Sequence, residues 1–315
     1  MFMKRIIYLF TILTLFICLT KLFEKYDYID YSIKHKQPPN LTINVNASTF
    51  QDRILSTIPI YHIENEVNTD LSIKFKLLEN KINQYLQNKS FNKNISIFDQ
   101  EGEEINIDSE VEVDALSLIK LPVLFTAYEL KNKNELDFNT YVSKFGYENT
   151  IGAAIQDMVI YSNNEATGAI LSKINTNSVN EYLHKTLGTS NVYIDHTPGY
   201  AGIADESYNQ ENLITTNQLT KLITLFINEK LFSYETTEEI KELLSKSEDY
   251  YNLSDILGEN KFYIKSGYAP FTHFAITGTI DTPKYGRLNL TVYFSSEEYI
   301  IKNEITDLIY FLISS

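Results

Sequence analysis

Only one cysteine, Cys18, occurs in the 315 residues, and it sits inside an apolar N-terminal run. An intrachain disulfide and a cysteine-ligated metal site are therefore both excluded. Cationic residues are also scarce, 27 Lys and Arg against 41 Asp and Glu, for a net charge of -14 and a pI near 4.9. Such a surface repels phosphate backbones, so nucleic acid is not an expected partner, and no basic patch stands ready for anionic lipid. The five histidines, His184, His196 and His273 among them, show no metal-ligand spacing. They read as solvated or helix-capping residues, and no metal is expected. No repeat at a solenoid period is present.

A long membrane-spanning run is missing as well. Lys4 and Arg5 precede Ile6 to Thr20, a stretch of 15 uncharged residues. This suits the core of an export signal and is short for a full span. No small-x-small cleavage site follows, and Ile17 before Cys18 argues against a lipoprotein. Residues 1–23 therefore read as an uncleaved signal anchor with its basic end inside the cell, or as a signal peptide if cleaved. On either reading the remainder works outside the cytoplasm. Residues 24–70 are polar and irregular, with Pro38-Pro39, and read as an extracytoplasmic stalk.

What is present is enough apolar residue, 43%, for a substantial core. The spacing of Leu71, Ile73, Phe75, Leu77, Leu78, Ile82 and Leu86 predicts an amphipathic helix over Leu71 to Leu86. Strands are predicted over Asn94 to Phe98 and Glu104 to Val111, with an acidic turn between them. An apolar helix is predicted over Leu116 to Leu130, and a mostly helical block to about residue 245. Three strands follow, Phe262 to Lys265, His273 to Asp281 and Arg287 to Phe294, and then a closing helix over Glu297 to Ile313. The order predicts an α+β fold in which strands from both ends of the chain join one antiparallel sheet with helices packed on it.

Three short motifs could carry chemistry. Ser117-Leu118-Ile119-Lys120 puts a hydroxyl and an amine one helical turn apart among apolar neighbours. A serine hydroxyl needs a base beside it, and a desolvated lysine can be that base. A second Ser-x-x-Lys, Ser90 to Lys93, lies in a polar segment, which shows how readily the pattern arises by chance. Ser162-Asn163-Asn164 sets a hydroxyl and an amide two residues apart, able to pass a proton and to orient a carbonyl. It equally reads as a polar helix cap, and Ser178 to Asn180 and Ser207 to Asn209 repeat the pattern. Lys265-Ser266-Gly267 offers a cation and a hydroxyl for a carboxylate, with Gly267 allowing a substrate backbone to lie close. Its plain reading is the end of a strand. Tyrosine-rich patches such as Tyr250-Tyr251 read as surface or core filler.

In order and in setting (helix start, loop, strand end) these motifs resemble those of the class A β-lactamase and penicillin-binding protein superfamily, which carries Ser-x-x-Lys, Ser-Asp-Asn and Lys-Thr-Gly. The likeness covers residues 71–315, and Asn212 to Leu219 resembles the family's helix start after its active-site loop. The resemblance implies a catalytic domain with a five-stranded antiparallel sheet flanked by helices and an all-helical lobe. It implies a serine hydrolase acting on amide bonds, without cofactor, and a monomer. The implied roles are Ser117 as nucleophile, Lys120 as base and Ser162 as proton relay. Asn164, Lys265, Ser266, Gly267 and Tyr268 would bind substrate, with the Ser117 and Tyr268 N–H groups as oxyanion hole. Three departures stand out. Asn163 replaces the usual Asp, and Ser266 replaces Thr. At the position expected for the deacylating Glu, counted back from Thr215-Thr216, stand Tyr200, Ala201 and Gly202, which leaves Glu206 as the candidate base, with Asp205 and Asp195 near. A β-lactamase with a role in antibiotic resistance, a D,D-peptidase acting on cell-wall peptides, and an idle wall-binding protein all remain open. A glutaminase is disfavoured by the export signal.

Overall fold

The computed structural model describes residues 71–188, 193–194, 212–248, 251–258, 262–269, 272–296 and 302–314. The signal and stalk segments lie outside the described residues, as do Asp195, His196, Tyr200, Ala201, Gly202, Asp205, Glu206, Ser207 and Tyr250.

Helix α1 (Leu71–Leu86) buries Phe75, Leu78, Ile82 and Leu86, one stripe at helical spacing, while Ile73 and Leu77 point to solvent. Strands β1 (Asn92–Phe98) and β2 (Glu104–Ile107) follow, joined by a turn in which the Asp99 carboxylate accepts from the Glu101 and Glu103 N–H groups. Strand β2 stops short of the predicted Val111. After β3 (Val113–Asp114) the predicted single helix splits in two, a 3-10 turn over Leu116–Ile119 and α2 over Lys120–Asn132. Every residue of α2 from Lys120 to Tyr128 is buried, as befits a helix at the centre of a lobe.

The predicted helical block contains two departures. Tyr141–Lys144 (β4) and Tyr147–Thr150 (β5) form a hairpin, and Leu213–Ile214 (β6) pairs with β3. These pieces are too short for a period-two pattern to show in the sequence. Around them lie α3 (Ile151–Ile160), α4 (Asn164–Ile174), α5 (Thr176–Leu187), α6 (Thr216–Ile227), α7 (Tyr234–Ser245) and α8 (Leu253–Leu257). Helix α2 packs against α3, α4 and α5. The chain closes with β7 (Phe262–Ala269), β8 (His273–Thr282), β9 (Gly286–Ser295) and α9 (Lys302–Ser314).

The main sheet has five antiparallel strands in the order β2-β1-β9-β8-β7, so both ends of the chain meet at β1 and β9. The α+β architecture with its helical lobe is the one that the resemblance implied. Residues directly opposed in antiparallel strands share a face. By register Gly267, Ala275 and Tyr293 are aligned, and Ala275 and Tyr293 belong to the lobe core, so this face looks at the lobe. Two residues along, Lys265, Thr277, Thr291, Ser96 and Asn106 form one polar row across all five strands. Helix α6 covers that row, with Asn217 donating to Asn106 and Thr220 donating to the Ser96 carbonyl. Helix α9 packs against β8, and Tyr85 of α1 stacks on Phe311 of α9.

Candidate active site

The nucleophile candidate Ser117 stands in the first turn of the 3-10 helix, where backbone N–H groups have no partner within the helix. The turn is reached through Leu116 at φ +50°, an uncommon conformation for a bulky residue, and the Asp114 carboxylate holds the Leu116 N–H at 3.1 Å. One turn later Lys120 opens α2, with only 1% of its surface exposed.

The Lys120 amine lies 3.0 Å from Ser117 Oγ, 3.0 Å from Ser162 Oγ and 2.7 Å from Asn164 Oδ1, and it also meets the Ser162 carbonyl. Ser162 is itself left-handed at φ +53°, and it offers both its carbonyl and its hydroxyl to the one amine. Burial first, and then the positive charge of Lys265, push Lys120 from 10.5 down to about 6, against an opposing pull from Glu165 and Glu248. The amine is thus mainly neutral at pH 7, with two hydrogens and one lone pair. The Ser162 carbonyl and Asn164 Oδ1 can only accept and take the two hydrogens. The lone pair is left to receive a hydroxyl proton from Ser117 or Ser162. This is the arrangement that general-base activation of a serine requires.

Helix capping falls to Asn163, whose Oδ1 accepts from the Ala166 N–H at 2.7 Å. The motif therefore carries both sequence readings, with the cap on the middle residue and the chemistry on its neighbours. Asn164 stands directly beside the candidate base. Its oxygen is committed to Lys120, so only its Nδ2 group is left to meet a substrate carbonyl.

Lys265 and Ser266 differ from expectation in their setting. They do not end a strand, because β7 continues to Ala269. The reason for Gly267 is likewise internal. A Cβ there would stand 3.0 Å from Leu116 Cβ and 3.0 Å from Ser117 N, so glycine lets β7 press against the nucleophile's turn. Burial lowers the Lys265 amine to about 8, opposed by Glu248. Its only hydrogen bond among the described residues is a long one of 3.4 Å to the Ser266 carbonyl. A buried ammonium so poorly partnered favours an anion beside it. Ser266 is buried next to it, and Tyr268 is 49% exposed.

The structure thus gathers Ser117, Lys120, Ser162 and Asn164 by direct hydrogen bonds and sets Gly267 against Ser117. The other copies of the motifs stand elsewhere. Ser90 precedes β1, and Ser178 and Asn180 lie in α5. Asn180 holds Ile194 through a pair of 2.9 Å bonds to its backbone, and Tyr193 pairs with Leu213. The residues flanking segment 195–211 are thereby fixed beside β3, which leads into Ser117. Sequence reasoning missed Asp114, Glu165 and Glu248, and for Tyr251, which is buried in the core, it missed the hydrogen bonds to the sheet. No local pattern marks these residues, because each acts on a partner distant in sequence or on backbone.

Among the described residues no helix is long and apolar enough to cross a membrane. No curated protein matches the sequence significantly. Solved structures do match. A β-lactamase from Chitinophaga pinensis aligns with a TM-score of 0.63 at 14% identity, covering 73% of this chain and 97% of that one. The chromosome-encoded β-lactamase of Vibrio parahaemolyticus gives 0.60 at 15%, covering 78% and 96%. A mutant of PBP-A, solved as an acyl-enzyme complex with penicillin G, gives 0.63 at 15%, covering 75% and 95%. At these identities the likeness speaks for the fold. The family model described as "Beta-lactamase enzyme family" matches residues 77–310, a span that holds all three motifs. The chain therefore belongs to the β-lactamase enzyme family, a serine hydrolase of amide bonds on the serine β-lactamase fold.

Proposed function

We propose that the protein opens β-lactams by the class A route, through an acyl-enzyme on Ser117. The observation that carries this reading is the Lys120 amine, lowered to about 6 and 3.0 Å from Ser117 Oγ. In the first step Lys120 takes the Ser117 proton as Oγ bonds to the amide carbonyl carbon. The oxyanion is held by the Ser117 and Tyr268 N–H groups. The C–N bond then breaks, and the proton passes from Lys120 through Ser162, 3.0 Å away, to the leaving nitrogen. The Lys265 ammonium and the Ser266 hydroxyl bind the substrate carboxylate. Water releases the acyl group, with Glu206 as candidate base. In this reading Asn164 holds Lys120 and turns Nδ2 toward the substrate amide. The signal segment keeps the catalytic domain outside the cytoplasm, where β-lactams and wall peptides are met, and a part in the antibiotic response follows.

A second reading, a D,D-peptidase acting on D-alanyl wall peptides, is favoured by one sequence feature. Tyr200, Ala201 and Gly202 stand where a deacylating carboxylate is expected. One assay separates the two. The chain from residue 24 is treated with a fluorescent penicillin, with Ser117→Ala as control. Label that needs Ser117 and disappears within seconds, leaving ring-opened product, supports the β-lactamase. Label that persists for hours supports the peptidase. Absence of label in the unmutated protein overturns both.

A further inference from the structure

Tyr251, which precedes α8, is only 1% exposed, and its hydroxyl reaches the carbonyl oxygens of Gly267 at 3.1 Å and Ala275 at 3.0 Å. Those two residues are directly opposed in β7 and β8. Tyr251 is tied at its other end too, since Thr306 of α9 donates to its carbonyl at 3.2 Å. The contact falls at one particular place. Gly267 is the residue at which β7 touches the nucleophile's turn, 3.0 Å from Ser117 N to a Cβ built there. Its carbonyl belongs to the same planar peptide unit as the Tyr268 N–H.

A hydrogen bond accepted by a peptide oxygen has two effects on the N–H across the unit. It fixes the plane, and so the direction of the N–H. It also draws electron density toward oxygen, which makes the N–H a stronger donor, by about 10–30% per bond in chains of hydrogen bonds. We infer that Tyr251 is a positioning residue that aims and strengthens the Tyr268 N–H from the α9 side of the sheet. The inference rests on the reading of Ser117 as nucleophile and of the Tyr268 N–H as oxyanion donor. The sheet does not need this bond for pairing, because β7 and β8 are in register over eight residue pairs, from Phe262↔Ile280 to Ala269↔His273.

The test is Tyr251→Phe, which keeps the ring in the core and removes the hydroxyl. Removal of a whole oxyanion donor costs about 100- to 1,000-fold in rate, so loss of its support is expected to slow acylation by penicillin about 3- to 10-fold. The dissociation constant of the noncovalent complex stays unchanged. A spectroscopic readout separates this from general loosening: in isotope-edited infrared spectra, the ester carbonyl of the Ser117 acyl-enzyme moves to higher wavenumber in Y251F, because a weaker donor polarises it less. Tyr128→Phe is the control. It also deletes a hydroxyl bond of a buried tyrosine, to Glu239 at 2.8 Å, and should leave rate and wavenumber unchanged. If Y251F does not fold, 3,5-difluorotyrosine at position 251, a stronger donor, should shift both readouts the opposite way. A labelled wild-type protein matched by Y251F in rate and wavenumber, or the same change in Y128F, overturns the inference alone. A wild-type protein that takes no label overturns the amide-hydrolase reading and the inference with it.

Discussion

If Lys120 is the base, acylation must follow its neutral fraction. At the ordinary lysine value of 10.5, only about 0.0003 of the amine is neutral at pH 7; at about 6 the fraction is about 0.9. Burial and the Lys265 charge thus raise the available base roughly 3,000-fold at neutrality. Lowering the pH from 7 to 5 cuts the neutral fraction from about 0.9 to about 0.1, so acylation should slow about tenfold. A second limb follows from Lys265. It loses its proton through about 8, and with it the charge that faces a substrate carboxylate. Acylation by a penicillin should therefore be bell-shaped, rising through about 6 and falling through about 8, with the limbs belonging to the coupled pair. The assay is stopped-flow acylation between pH 4.5 and 9.5 at substrate well below saturation, with intactness checked by circular dichroism at each end. An acid limb near 4, in the carboxylate range, or a rate flat from 5 to 7, would refute Lys120 as the base.

Two further outcomes follow from the packing. Gly267→Ala places a methyl 3.0 Å from both Leu116 Cβ and Ser117 N, about 0.5–1 Å inside ordinary carbon contact. Since β7 or the nucleophile's turn must move, acylation should fall on the order of 100-fold while the melting temperature changes by only a few degrees; an active G267A would show that the close approach is not needed. Lys265→Met removes a buried cation held near 8 rather than 10.5, a shift worth about 3 kcal/mol at about 1.4 kcal/mol per unit. Denaturant unfolding at pH 7 should show it more stable by up to that amount, while penicillin acylation is lost. The sign with pH is fixed: both lysines bind their protons less tightly when folded. The wild type therefore loses stability as pH falls from 10.5 through 8 toward 6, and K265M should lose less over that range.

Much of the molecule is readable without coordinates. The stripe Phe75, Leu78, Ile82 and Leu86 announces α1, the alternating tail announces β8 and β9, and the three motifs in order announce the family. These features are local: each is a periodicity or a short string set by one element's own geometry. Only the tertiary structure decides the rest. Two Ser-x-x-Lys strings exist, and Ser117 differs from Ser90 because α2 is buried on all sides, which strips water from Lys120. The Lys265 string reads as a strand end, yet it lies inside β7, because pairing with β8 carries the strand on to Ala269. Asn164 turns to Lys120, and Tyr251 to the Gly267 peptide, across gaps of 44 and 16 residues. Sequence fixes which groups are available and the local element each sits on; packing fixes the desolvation and the partners, and those set the proton affinity on which the chemistry depends.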